Sequence, residues 1–168
     1  MTAYLKLIDE NTRGSRCDVT PLFADPVAFM AMVDDLYAQV KAAEFDLIAA
    51  IDALGFIIGT ALALRHPAGL VTMRKGGKLP VDTETTTFKD YSGQIKQLEV
   101  RKGMIYPGAR VLIVDEWIET GAQVRAAAQL IERSGGIVAG IATIHADRNE
   151  HTRPLFEQYP CFALRYEE

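Results

Sequence analysis

The stretch that decides the fold is Val111-Leu-Ile-Val-Asp115-Glu116-Trp-Ile-Glu119-Thr120-Gly121-Ala122-Gln123. An apolar run predicts a buried strand, two adjacent carboxylates follow it, and a Thr-Gly turn opens an Ala-rich helix. This order brings acidic side chains and the unpaired N–H groups of a helix start into one small volume. Such a volume suits a ligand with hydroxyl groups and a phosphate, because carboxylates accept hydrogen bonds from hydroxyls and helix N-termini bind phosphate.

Length and composition favour a single domain, residues 1–168, in the cytoplasm. The chain is long enough for one core, and 49% hydrophobic and 24% charged residues are ordinary for a globular protein. The net charge of −4 argues against a protein that coats nucleic acid. Cys17 and Cys161 lie far apart in the sequence, which fits a reduced compartment. We find no signal peptide and no membrane-spanning apolar run, and therefore expect neither a nucleic-acid nor a membrane partner.

Strand and helix patterns alternate along the chain. Helices are predicted at 26–44, 56–65 and 122–134. Strands are predicted at 46–51, 69–73, 111–114 and 137–144. The third helix has a buried stripe formed by Val124, Ala127, Ala128 and Ile131. This alternation predicts an α/β fold, a doubly wound parallel sheet with helices on both faces and ligands at the carboxyl ends of its strands.

Residues 81–102 interrupt the alternation. They are polar and Thr-rich, contain a Ser92-Gly93 turn, and return to apolar character at Leu98 and Val100. We predict two strands of a flexible hairpin, separate from the main sheet. Two interpretations stay open, a lid that excludes water during a reaction and a surface hairpin with no catalytic duty.

A second charged turn follows the strand at 69–73. Arg74, Lys75 and Lys78, with two glycines between them, would suit a highly charged phosphate group. Asp115 and Glu116 would accept hydrogen bonds from a vicinal diol, or hold a divalent cation through oxygen. Each cluster alone is more typical of a solvated surface, but their occurrence at successive strand ends favours a binding site. The three histidines, His66, His145 and His151, show no metal-ligand spacing, and we expect them to be structural or exposed.

These segments resemble the type I phosphoribosyltransferases, and most closely the adenine phosphoribosyltransferase branch. The stretch 111–123 is similar to the family's phosphoribosyl-diphosphate signature. Arg74-Lys-Gly-Gly-Lys-Leu-Pro80 is similar to the branch's Arg-Lys-x-Gly-Lys-Leu-Pro segment, and 52–59 to its acid-small-Arg-Gly-Phe turn. Asp18-Val-Thr-Pro-Leu22 matches the spacing of its base-binding region.

The resemblance implies transfer of ribose 5-phosphate from phosphoribosyl diphosphate to a purine-type base by a Mg²⁺-dependent homodimer. Asp115 and Glu116 would accept hydrogen bonds from the ribose hydroxyls and would bind magnesium indirectly, through ribose or water. The 5′-phosphate would be bound by Thr120, Gly121, Ala122 and Gln123. The diphosphate site would comprise Ala53, Leu54, Arg74, Lys75 and Lys78. The hairpin would form a hood, with Asp90-Tyr91 where the branch has Glu-Tyr.

Several residues depart from the branch's pattern. Leu54 replaces the arginine of the diphosphate turn, and Gln123 stands where a Thr or Ser is usual. Arg16 falls near the aromatic residue that stacks on adenine. Glu119 replaces a small residue, but the 6-oxopurine branch has an Asp at this offset, so Glu119 is a candidate general acid/base. The alternative for Glu119 is a carboxylate that faces solvent, and Trp117 receives no catalytic role.

Two other functions stay open beside a purine transferase. One is a sensor that binds phosphoribosyl diphosphate or a nucleotide without turnover, which Leu54 and Gln123 favour. The other is a transferase for a non-standard base, which Arg16, Cys17 and Glu119 favour.

Overall fold

The computed structural model describes residues 3–13, 17–90 and 92–168. Its helices are a 3-10 helix (Ala3–Leu7), α1 (Thr20–Ala24), α2 (Pro26–Val40), α3 (Gly55–Arg65), α4 (Ala122–Arg133) and α5 (Arg153–Gln158). Its strands are β1 (Leu47–Ile51), β2 (Gly69–Lys75), β3 (Thr83–Lys89), β4 (Ile95–Arg101), β5 (Arg110–Val114), β6 (Trp117–Ile118), β7 (Ile137–Asp147) and β8 (Cys161–Glu167).

The strands form one sheet in the order β3-β4-β2-β1-β5-β7-β6, and β8 also pairs with β7. In its centre, β2, β1, β5 and β7 are parallel neighbours. The register places Ile51 beside Met73 and Ala50 beside Val114. Parallel strands end at the same edge, so the segments after β1, β2 and β5 all start there.

Helices cover both faces of this sheet, which confirms the predicted fold class. Successive residues of β5 face opposite sides. Val111 and Ile113 belong to a buried cluster with α4, whereas Leu112 and Val114 belong to a second cluster with α2 and α3. The predicted stripe of α4 is confirmed, since all of its members are buried.

The predicted start of α2 is confirmed and its predicted end is wrong. Asp25 caps the helix by accepting hydrogen bonds from the N–H groups of Val27 and Ala28, and Pro26 occupies the first turn. The helix ends at Val40 and not at residue 44, because the chain then turns with a bond from Ala43 N–H to Val40 O. Within the described ranges, no helix combines the length and apolar character needed to cross a bilayer.

The start of α3 lies directly against the end of β5. A Cβ atom at Gly55 would lie 2.6 Å from the carbonyl oxygen of Val114 and 3.3 Å from Cα of Asp115. Only glycine permits this close approach. The turn at Asp52–Leu54 is therefore held beside the acidic pair that follows β5.

The hairpin is part of the main sheet, which corrects the prediction that it is separate. β3 and β4 pair antiparallel, and β4 also pairs antiparallel with the last residues of β2, Arg74 and Lys75. The prediction was wrong because β2 continues for two residues beyond Met73 and gives β4 a partner. Leu98 and Val100 are buried in the same cluster as α4.

Candidate active site

A cavity of about 600 Å³ is lined by segments from the carboxyl edge of the parallel strands and by the hairpin. The end of β2 contributes Lys75 and Gly76, and the stretch after β5 contributes Asp115 and residues 117–124. The hairpin contributes Phe88, Asp90, Ile95, Lys96 and Gln97. The predicted acid, phosphate-loop and basic segments therefore contribute to one cavity.

Asp115 is a buried carboxylate in the cavity wall, only 3% exposed. Its Oδ1 accepts the N–H of Glu116 at 2.9 Å, and its Oδ2 accepts the side-chain Nε2 of Gln123 at 3.1 Å. Gln123, predicted to contact phosphate, thus ties Asp115 to the start of α4. Glu116 is half-buried and lies outside the cavity-lining residues, while its carbonyl accepts the N–H of His145.

The loop before α4 brings backbone N–H groups to the cavity. Gly121 has φ +70°, in the left-handed region that favours glycine, and α4 begins at Ala122. The N–H groups of a helix's first turn have no partner inside the helix, and together with the helix dipole they favour a phosphate. Thr120, Gly121, Ala122 and Gln123 all line the cavity, as the sequence predicts.

Arg125 fixes this loop from behind. Its guanidinium donates to the carbonyl of Thr120 and to the carbonyl of His151, each at 2.9 Å. Burial lowers the pKa of Arg125. A Cβ at Gly121 would lie 3.1 Å from the guanidinium, so the arginine packs closely against the loop. The sequence analysis missed this residue, although its place one turn into the helix after Gly121 is a usable signal.

The basic turn after β2 is anchored by a buried acid. Glu99, which is 4% exposed, accepts the N–H groups of Gly77, Lys78 and Leu79. Burial raises the pKa of Glu99, but these backbone hydrogen bonds outweigh it and the net pKa is lowered. A glutamate between two buried apolar residues, Leu98 and Val100, is the sequence signal that would have found it.

Of the three predicted basic residues, only Lys75 lines the cavity. Arg74 lies 3.5 Å from Asp52 and donates to the carbonyl of Lys78 at 3.3 Å. Lys78 is exposed. The structure therefore brings one of these three cations to the cavity, where Lys96 of the hairpin is a second cation.

The turn 52–54 lies between β1 and α3. Ala53 is exposed and follows a cis peptide bond, Asp52-Ala53. Leu54 is half-buried and packs against the cluster of α2 and α3. An apolar side chain at this position is therefore explained by its core contacts.

Glu119 is half-buried and lines the cavity next to the phosphate-binding loop. Its backbone carbonyl accepts the side-chain N–H of Asn149 at 2.9 Å, which fixes the chain at this point. Asn149 is a further residue that sequence reasoning missed, because its contact spans 30 positions.

Asp90 lines the cavity, but its carboxylate is engaged in the hairpin turn. It accepts the hydroxyl and N–H of Ser92 and the N–H of Gln94, and the hydroxyl bond is the main reason why the pKa of Asp90 is lowered. Arg16, predicted near the base, and Tyr91 lie outside the described residues.

Residues 24–166 match the phosphoribosyl transferase domain family, and the chain belongs to this family. It is an enzyme of the phosphoribosyltransferase class.

Its relatives include adenine phosphoribosyltransferases. That of Chlorobium luteolum is 43% identical over 151 residues, which cover 88% of this chain and 85% of the relative. The crystal structure of the enzyme from Thermoanaerobacter pseudethanolicus has a TM-score of 0.89 and 33% identity, with 97% of each chain covered. The APRTase of Giardia lamblia, complexed with 9-deazaadenine, has a TM-score of 0.87 and 27% identity, with 98% of this chain and 96% of that chain covered.

Proposed function

We propose that this phosphoribosyltransferase serves purine salvage, transferring ribose 5-phosphate from phosphoribosyl diphosphate to a purine-type base with release of diphosphate. The adenine phosphoribosyltransferases among its relatives support this reaction. The observation that carries the proposal is that Asp115, the loop 120–123 and Lys75 line one cavity. These groups match a ribose diol, a phosphate monoester and a diphosphate, respectively.

We assign the roles as follows. Asp115 accepts a hydrogen bond from a ribose hydroxyl, and Glu116 supports it from the neighbouring position. The N–H groups at the start of α4 bind the 5′-phosphate. Lys75 offsets the charge that accumulates on departing diphosphate, assisted by the turn Ala53–Leu54 and by Arg74 and Lys78. Stabilising a leaving group in a preorganised site is the main contribution that a protein makes to such a step.

Magnesium fits this donor set. The carboxylates of Asp115 and Glu116 are hard oxygen donors of the kind that Mg²⁺ accepts, through ribose oxygens or water. When bound, the ion supplies positive charge to the diphosphate.

We assign to the hairpin the function of keeping water out of the site. Phe88, Ile95 and Lys96 line the cavity from the hairpin, so a ligand bound there would lie between the hairpin and the phosphate loop. We assign Asp90 to the hairpin's turn on this side. Hydrolysis of the sugar intermediate is slowed when water is kept out.

Glu119 is our candidate for the general acid/base that handles a proton on the base. It lines the cavity beside the sugar-phosphate loop, where a base attached to the ribose would lie. We place Arg16 near the same base. Whether Glu119 acts as a general acid/base depends on the base, because only a base that gains or loses a proton in the reaction needs such a group.

We further propose that the protein works in the cytoplasm as a homodimer. Cys17 and Cys161 are free thiols, which suits a reducing compartment. Val27 and Met30 on α2, 77% and 59% exposed, are apolar side chains of the kind that a subunit contact buries.

Diphosphate release tests the reaction. Purified protein is given phosphoribosyl diphosphate and Mg²⁺ with adenine, hypoxanthine, guanine or xanthine in turn. We expect release with at least one base and a loss of about 100-fold or more in Asp115→Asn, as for the removal of one transition-state contact. Glu157→Gln, an exposed carboxylate of α5, is the matched control.

The sensor is the second candidate, since only Lys75 of the three cations lines the cavity. Calorimetry with phosphoribosyl diphosphate separates the two functions. Saturable binding without diphosphate release from any base would favour the sensor and overturn the transferase.

A further inference from the structure

A second group of ionisable side chains lies at the carboxyl ends of β7 and β8. His145 and Asp147 are two residues apart on β7 and therefore face the same side of the sheet. The parallel register places Asp147 beside Glu167 and His145 beside Arg165. None of these residues lines the 600 Å³ cavity.

Three donor atoms converge in this group. Nε2 of His145 lies 3.0 Å from Oδ1 of Asp147 and 3.3 Å from Oε2 of Glu167. One donor atom from each of the three residues lies within 4.8 Å of the others. Two ligand atoms that each lie about 2.1 Å from a zinc ion are at most about 4.2 Å apart, and the distances from Nε2 of His145 to both carboxylates, 3.0 Å and 3.3 Å, are shorter than this limit.

The charges of the surroundings leave this group with an excess of negative charge. Arg165 lies 2.6 Å from Glu10, and Arg148 lies 3.2 Å from Glu168, so each arginine has a carboxylate of its own. Arg165 also lies 3.6 Å from Glu167, a weaker contact. Asp147 and Glu167 are neighbours in the register, and His145 contacts both of them.

The histidine alone does not balance the two carboxylates. Nε2 of the histidine carries at most one proton, so it can donate a hydrogen bond to only one of the two carboxylates at a time. A bound cation would satisfy both acids at once.

The group opens into a second cavity of about 360 Å³. Asp147, Glu167, Cys17 and Trp117 are among its lining residues. Trp117 is 8% exposed, and its buried Nε1 has no partner in hydrogen-bond geometry among the described residues. Asp147 is the acid nearest in role to this indole N–H, and a ligand bound beside Asp147 would be a further acceptor for it.

We propose that His145, Asp147 and Glu167 bind a divalent transition metal ion of the zinc type in this second cavity. An imidazole nitrogen selects zinc and its neighbours over magnesium, which prefers oxygen donors alone. Three protein ligands leave the remaining positions to water or a small anion from the cavity. The three ligand residues lie outside the first cavity, and Trp117 lines both cavities.

The fluorescence of Trp117 can be used to detect binding of this ion. Trp117 is its only tryptophan, and its ring stacks on His145 with centroids 4.0 Å apart. Co²⁺ is a quenching stand-in for Zn²⁺, so a cobalt ion on His145 is expected to quench the fluorescence of Trp117. We expect saturable, one-to-one quenching that Zn²⁺ reverses and that Mg²⁺ does not affect.

Glu167→Gln is the decisive variant, since Glu167 is half-exposed and its loss leaves the buried histidine in place. We expect at least tenfold weaker cobalt binding in Glu167→Gln and unchanged binding in Glu157→Gln and in His151→Ala. Circular dichroism confirms that each variant is folded. Absent quenching in the wild type, equal quenching in Glu167→Gln, or quenching abolished by His151→Ala would each overturn the site.

Discussion

The carboxylate of Glu119 would lie near the negative charge of a bound phosphate. It lines the same cavity as the loop that we assign to phosphate. Two like charges about 4 Å apart repel each other by about 4 kcal/mol at an effective dielectric constant of 20. The contact between Asn149 and the carbonyl of Glu119 holds the backbone at this place.

We predict that Glu119→Gln lowers kcat by about 100-fold, the lower end of the range for a general acid or base. KM for phosphoribosyl diphosphate should stay the same or fall, because the repulsion is removed. Steady-state kinetics with the accepted base measure both constants, with Glu157→Gln as the control. An unchanged kcat would remove the acid/base role.

Leu54 supports a prediction on the opposite side of the site. In Leu54→Arg, a guanidinium in the turn after β1 would add a charge-assisted hydrogen bond to diphosphate, worth about 1.5–3 kcal/mol. We expect about tenfold tighter diphosphate binding by calorimetry. The melting temperature should fall, since Leu54 packs against the core. Leu54→Met is the control, and unchanged binding by folded Leu54→Arg would contradict the prediction.

Among individual residues, the sequence predicted site residues that lie within one segment of the chain. It did not predict site residues that come together from different segments. Asp115, Glu119 and residues 120–123 lie within one segment, and a strand–loop–helix turn leaves them in one cavity. Asn149 and Glu99 bind backbone atoms of segments that are distant in the sequence, and no spacing rule connects them to those atoms. His145 shows the same limit, because Glu167 comes from a different strand.

At the scale of elements, the long periodic helices and the parallel strands were predictable, and the short or paired elements were not. α4 shows a clear apolar stripe that predicts its buried face. β6 has only two residues, Trp117 and Ile118, and exists because β7 offers it a partner. The hairpin was misassigned for the same reason, since its pairing with β2 depends on tertiary contacts.

The junction of β2 and the hairpin depends on Glu99. Its carboxylate satisfies backbone N–H groups of three residues, 77–79. We predict that Glu99→Gln lowers the free energy of unfolding by about 2 kcal/mol at neutral pH, because bonds to a charged acceptor are lost. Denaturant titration measures the change, and Glu157→Gln should have no such effect.

This loss should depend on pH in one direction. Because the folded-state pKa of Glu99 is lowered, its stabilisation is complete above the unfolded value of about 4.3 and is lost as pH falls through the folded pKa. The wild type should therefore approach Glu99→Gln in stability in acid. A constant difference between the two proteins down to acid pH would contradict the assignment.

At the scale of the molecule, the proposed homodimer has a direct test. We expect light scattering after size exclusion to give twice the mass of one chain. Met30→Asp should lower this mass, since it would place a charge on the apolar surface of α2. Lys41→Asp, which changes charge just beyond α2, is the control. A monomeric wild type would reject the dimer.

The hairpin and the parallel sheet share one core, and this predicts a single unfolding transition. Leu98 is fully buried on β4 in the cluster that also contains Met73 and Ile113 of the central strands. Leu98→Ala should cost about 2–5 kcal/mol through lost burial and a cavity. If the chain is one domain, this loss shifts the whole transition and does not release the hairpin alone.

Two probes measure this transition. Trp117 lies on β6, at the edge of the sheet opposite the hairpin, so its fluorescence and the far-ultraviolet circular dichroism of the protein should give the same lowered midpoint. Ile95→Ala, an exposed residue of the same strand, should leave the midpoint nearly unchanged. Two separate transitions in Leu98→Ala would instead make the hairpin an independent unit, and the hood would then open without disturbing the sheet.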